Sequence, residues 1–162
     1  MTEAASSAAA LTGLMFVVIS LVSGQERTDA TEEGIAAFTT PTVMHFAAAL
    51  LVSALLIMPW RSLVRLSVLV AVIGFYGVAY ILGVMRRTRR LTGYSADLED
   101  WTWFTILPLV AYVAISGGAI ALAIVPVQAL FTLAGGVMLL IFIGIRNAWD
   151  VVTYITTRRG KP

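Results

Sequence analysis

Five long apolar runs, separated by short polar stretches, make up most of this chain, and none of them contains an aspartate or glutamate. They cover Ala4–Ser23, Thr42–Trp60, Leu63–Met85, Trp101–Val125 and Val127–Ile145, and each holds 19 to 25 residues. A helix needs roughly 20 apolar residues to cross about 30 Å of hydrocarbon. The pattern therefore predicts an all-α fold, a polytopic transmembrane bundle of about five spans forming a single unit over residues 1–162. The first run opens on Ala and Ser only, and its strongly apolar part is Leu11–Val22, so a full span and a shallow placement both remain open. Met1-Thr2-Glu3 carries no positive side chain, which argues against a cleaved signal.

The polar stretches carry helix-boundary signals. Thr39 or Thr40 can cap the second helix, with Pro41 at its first position, where a missing N–H costs nothing. Ser95 can cap the fourth, placing Asp97, Glu99 and Asp100 in a first turn where the helix dipole favours negative charge. Pro108 falls inside the fourth run and predicts a kink, since it removes a bond to the carbonyl of Phe104. The four tryptophans, Trp60, Trp101, Trp103 and Trp149, stand at or just beyond run ends, where an amphipathic ring suits the headgroup level. Residues 146–162 read as a helical interfacial tail, in which Arg146 and Asp150 are spaced to pair.

Composition narrows the class. The chain is 59% hydrophobic and only 12% charged, which excludes a soluble fold. It has no cysteine, hence no disulfide, thiolate nucleophile or Cys metal site. The placement of charge sets an orientation. Across alternate connections, one side receives Arg27, Arg86, Arg87, Arg89, Arg90, Arg146, Arg158, Arg159 and Lys161, and the other only Arg61 and Arg65. The positive-inside bias predicts an external N-terminus and a cytoplasmic C-terminus. The cluster Arg86, Arg87, Arg89 and Arg90 anchors that topology and can contact anionic lipid, at about 1 kcal/mol per basic residue. Glu26, Asp29, Glu32 and Glu33, in a loop expected over Gln25–Phe38, face the same side and can pair with it for at most about 1 kcal/mol each.

Few groups can carry chemistry. His45, the sole histidine, is a candidate proton acceptor, pH sensor or haem ligand; the alternative is an interfacial imidazole bonded to a nearby hydroxyl or carbonyl. Without a second histidine, neither a His metal site nor a bis-His haem is expected, and no cofactor is assigned. Ser53, Tyr76, Tyr80, Thr105, Tyr112, Ser116, Gln128 and Thr132 form a mild polar inventory suited to helix packing. Small residues recur at close-approach spacing in Ala79-x3-Gly83, Ala114-x3-Gly118, Thr132-x3-Gly136 and Gly74-x2-Gly77. No phosphate loop, Ser-His-Asp set, zinc motif or nucleic-acid surface is present, and no enzyme activity is expected.

Thr40-Pro41-Thr42-Val43-Met44-His45-Phe46 and Asn147-Ala148-Trp149-Asp150, followed by Thr153-Tyr154, resemble segments of small uncharacterised bacterial multi-pass inner-membrane proteins. The resemblance spans about fifteen residues, implies an inner-membrane location and transfers no activity. It marks Thr40, Thr42, His45, Asn147, Trp149, Asp150 and Tyr154 as the candidate functional cluster, which the predicted topology brings to the cytoplasmic interface. Two functions fit. The first is a homo-oligomeric pore or small permeation protein, with copies lining a pathway and His45 near its cytoplasmic mouth; a pore needs no buried carboxylate. The second is an accessory or scaffold subunit of a larger membrane complex. The expected partners are the bilayer, anionic lipid, and either further copies or a membrane-complex partner.

Overall fold

The computed structural model describes residues 2–23, 29–88 and 101–158, with side chains described from Pro41 to Arg86, from Trp101 to Asp150, at Thr153 and at most of residues 2–14. Among these residues there is no strand. Five helices form an all-α bundle: α1 (Thr2–Ser23), α2 (Asp29–Ile57), α3 (Leu63–Thr88), α4 (Leu107–Ala121) and α5 (Pro126–Arg158), with a π-helical turn at Thr102–Ile106 leading into α4.

Two connections are tight. α2 stops at Ile57 because Pro59 cannot continue it, and the indole N–H of Trp60 turns back to donate to the Leu55 carbonyl at 2.6 Å. α4 stops at Ala121, whose carbonyl accepts from the amides of both Ile124 and Val125. Pro126 then starts α5 at the one place where a helix loses nothing to proline.

Packing follows from where the small residues lie. Gly77 faces Tyr112, Gly74 faces Ser116, and the Ser67 hydroxyl donates to the Ala119 carbonyl, so α3 and α4 run antiparallel. Gly118 meets Ala129 and Leu133, while Gly136 meets Ala111 and Ile115, so α4 and α5 do too. α2 packs chiefly on α1 and α5, with the Phe46 ring lying on Gly144, whereas its backbone scarcely approaches α4. The core between them is apolar, built from Val52, Val70, Ile115, Leu133, Val137 and Leu140.

The outward faces are apolar as well. On α3, Val64, Val68, Val72 and Phe75 point away from the bundle; on α5, Val127, Phe131, Met138, Phe142 and Ile145 do. Soluble monomers rarely expose contiguous apolar surface on this scale, and hydrocarbon is its natural solvent. Leu63–Arg86, Thr102–Ala121 and Pro126–Asp150 are each long and apolar enough to cross a bilayer, and Pro41–Ile57 is a shorter apolar segment. The chain is a membrane-embedded helical protein.

The helices differ from the sequence reading in three places. α2 begins at Asp29 rather than near Thr42, so Asp29–Phe38 is helical instead of looped, and Pro41 lies within the helix. Ala30, Glu32, Glu33, Ala36 and Ala37 are strong helix formers, and Pro41 deletes only one backbone bond. The strain expected at Pro108 is taken up by the π turn, in which the Leu107 amide donates to the Thr102 carbonyl, one residue further back than in an α-helix. That wider turn accommodates the ring of Pro108, which is buried. The expected cap at Ser95 and the acids Asp97, Glu99 and Asp100 lie outside the described residues.

Candidate functional site

One face of α2 turns inward, carrying Thr42, His45, Phe46, Ala49, Val52 and Ser53 at helical spacing. Three of those six are polar, and all three are fully buried. His45 Nδ1 lies 3.1 Å from the Tyr112 hydroxyl on α4, with the two rings tilted 53° and their centroids 5.7 Å apart. This bond spans the gap between two helices whose backbones stay apart, and it exists because two glycines make room. A Cβ at Gly77 would overlap the Tyr112 ring, and one at Gly144 would overlap Phe46, the neighbour of His45.

Asn147 completes the arrangement. The contact of Phe46 on Gly144 fixes the register of antiparallel α2 and α5. Thr42 precedes Phe46 by one turn and Asn147 follows Gly144 by about one turn, so both are displaced toward the same end of the bundle, by about 6 and 4.5 Å at 1.5 Å rise per residue. Asn147 is 1% exposed and His45 0%.

Four buried side-chain atoms among the described residues make no hydrogen bond: His45 Nε2, Asn147 Oδ1, Asn147 Nδ2 and Ser53 Oγ. Three of them belong to this one layer. Whichever tautomer His45 adopts, one ring nitrogen faces the Tyr112 hydroxyl and the other has no partner. The layer therefore presents an amide acceptor, amide donors and an imidazole nitrogen inside an otherwise apolar bundle. The other buried hydroxyl on α4, that of Ser116, is committed to the Tyr112 carbonyl at 2.9 Å.

A part-exposed charged and aromatic rim lies at this same end of the bundle. Arg146 pairs with Asp150 one turn along α5, as their spacing predicts, and its guanidinium lies 5.4 Å from the Trp103 ring centroid. Trp103 in turn packs on Phe142, centroids 5.9 Å apart, so the π turn is tied to α5. The Thr153 hydroxyl hydrogen-bonds the carbonyls of Trp149 and Asp150.

Of the expected cluster, Thr42, His45 and Asn147 are buried at one end of the bundle, while Asp150 sits in the rim and Trp149 is exposed. The side chains of Thr40 and Tyr154 lie outside the described set, as do those of Arg87, Arg89 and Arg90; Arg86 is exposed. His45 is fully enclosed within the single chain. Tyr112 is the site residue that sequence reasoning treated as packing. Its signal was Gly77, whose absent side chain marks a bulky group opposite. No group of three His, Cys, Asp or Glu that could hold a metal occurs among the described residues. No family model, curated protein or solved structure matches this chain.

Proposed function

We propose that this chain is a small permeation protein of the bacterial inner membrane, with the Thr42–His45–Tyr112–Asn147 layer as the polar element of its pathway. The observation that supports the reading is the set of three unpartnered polar atoms on two fully buried side chains, His45 and Asn147. Left dry, each such group costs about 1–3 kcal/mol, and hydrocarbon provides no partner. A pathway that admits hydrogen-bonding molecules removes that cost, and it needs neither a carboxylate nor a cofactor. Because His45 is enclosed within one chain, the pathway runs through the single bundle, and association of copies is not required to form it. The expected orientation puts the layer and its Arg146–Asp150 rim toward the cytoplasm, where Arg86 and its neighbours meet anionic headgroups.

The test is solute flux into liposomes carrying the purified chain. Flux above empty vesicles, lost in His45→Leu, supports the proposal; vesicles indistinguishable from empty ones refute it.

A second reading, an accessory subunit of a larger complex, is favoured by a different observation. Gly117 and Gly135 have open space where a side chain would be, and both face outward. Glycine costs a helix about 1 kcal/mol relative to alanine, and none of the described residues packs against these two. Close approach by another helix would use them. A stoichiometric membrane protein that co-purifies with the wild type and is lost in Gly117→Leu supports this role.

A further inference from the structure

The chemistry of the buried layer also narrows what can pass. We infer that the site between α2, α4 and α5 takes a small uncharged solute that both donates and accepts hydrogen bonds, of the amide or polyol kind, and rejects ions. This rests on the permeation reading above.

Three observations carry it. First, the unpartnered atoms are of mixed sense: Asn147 offers an acceptor in Oδ1 and donors in Nδ2, and His45 Nε2 lies at about the same level of the bundle by the Phe46–Gly144 register. A simple cation would satisfy only the acceptors and a simple anion only the donors, whereas a molecule such as urea or glycerol satisfies both. Second, the buried polar residues among those described are Thr42, His45, Ser53, Ser116 and Asn147, together with the Tyr112 hydroxyl; no carboxylate, guanidinium or ammonium is among them. An ion in that interior would lose its hydration with no countercharge to replace it. Among the described residues, Arg146 and Asp150 at this end of the bundle pair with one another, so neither offers the interior a lone countercharge to select an ion. Third, the polar groups continue inward. Ser53 Oγ, also unpartnered, lies eight residues beyond His45 on the same helix, about 12 Å deeper at 1.5 Å per residue. The hydroxyls of Ser116 and Ser67 already donate to the Tyr112 and Ala119 carbonyls, so toward a passing solute they present only lone pairs. Unpartnered groups thus occur at two levels along α2, as a chain of transient partners requires.

The experiment is stopped-flow light scattering on liposomes containing the full chain, with urea and glycerol as neutral probes. Potassium, chloride and proton fluxes are read by dyes on the same vesicles. The expected result is urea or glycerol entry at least several-fold faster than in empty vesicles, with ion fluxes at the empty-vesicle level. Asn147→Leu, which keeps the volume and removes all the amide contacts, should return entry to baseline, and Gly117→Ala, away from the layer, should leave it unchanged. Should Asn147→Leu fail to reconstitute, Ser53→Val reads the same column at its deeper level and should also slow entry. Ion flux without neutral-solute flux overturns the selectivity while leaving permeation standing. Neutral flux that survives both Asn147→Leu and Ser53→Val overturns the assignment of the site. Absence of every flux overturns the site and the permeation reading together.

Discussion

The His45 ring makes one hydrogen bond, to a tyrosine 67 residues away, and Gly77 and Gly144 make room for Tyr112 and for the neighbouring Phe46. Tyr112→Phe deletes the bond and leaves Nδ1 as bare as Nε2. Interhelical hydrogen bonds in membranes are worth about 0.6–2 kcal/mol, so the variant should melt lower in detergent by a clear margin. If His45→Phe and Tyr112→Phe are combined, the double loss should be smaller than the sum of the singles, because one interaction is being removed twice. A thermal-denaturation cycle in one detergent reads this, and strict additivity would refute the bond. Gly144→Val should be worse than either, by about 1–3 kcal/mol of overpacking against Phe46. Gly83→Ala, at a position with open space, should be neutral or mildly stabilising. His45 stood out in the sequence as the sole histidine, set within an apolar run, and Asn147 only through the resemblance of its segment. Tyr112 did not, since it is one of several mild polar residues within the runs, and its partner is brought to it only by tertiary packing.

Elements carry the next layer of explanation, and there the sequence was most misleading where polarity and helicity part company. The acidic stretch from Asp29 to Glu33 reads as a solvated loop by charge, but its alanines and glutamates are good helix formers, and α2 runs through them. Pro41, which suits a first position so well, is interior instead. At Pro108 the position of the disturbance was legible and its form was not: a widened turn, not a simple bend, absorbs the ring. Pro108→Ala removes the reason for that turn. An α-helical closure would then shift Trp101–Ile106 by one residue, about 100° around the axis, and separate Trp103 from Phe142 and Arg146. The chain has no cysteine, so Trp103→Cys with Phe142→Cys forms a unique pair for a short thiol cross-linker. Cross-linking should be efficient with Pro108 present and fall sharply in Pro108→Ala; equal yields would show that proline does not maintain the turn.

For the whole molecule, the helical membrane class was already contained in the acid-free runs, because burial in lipid demands so much apolar length that composition alone exposes it. What composition could not reveal is which apolar residues face inward. On α5, Ala129, Leu133, Val137 and Leu140 are buried while Val127, Phe131, Met138 and Phe142 are exposed, though both sets are equally greasy. In water those faces would differ in polarity; in lipid they differ only in what they touch. Orientation is open to direct measurement. With an external N-terminus, a cysteine at Thr2 should react with an impermeant maleimide in intact cells, and one at Thr153 only after permeabilisation. The reverse labelling would invert the assignment.

The short connection from α4 to α5 also bears on how the chain is made. Leu122–Val125 contains no charged residue, and the turn closes its own hydrogen bonds onto Ala121. Such a tip has no ionic hydration to shed, so α4 and α5 are suited to leave the translocon as a preassembled hairpin, tip first. With the expected cytoplasmic C-terminus, the guanidinium of Arg146 and the carboxylate of Asp150 trail this hairpin and need never cross.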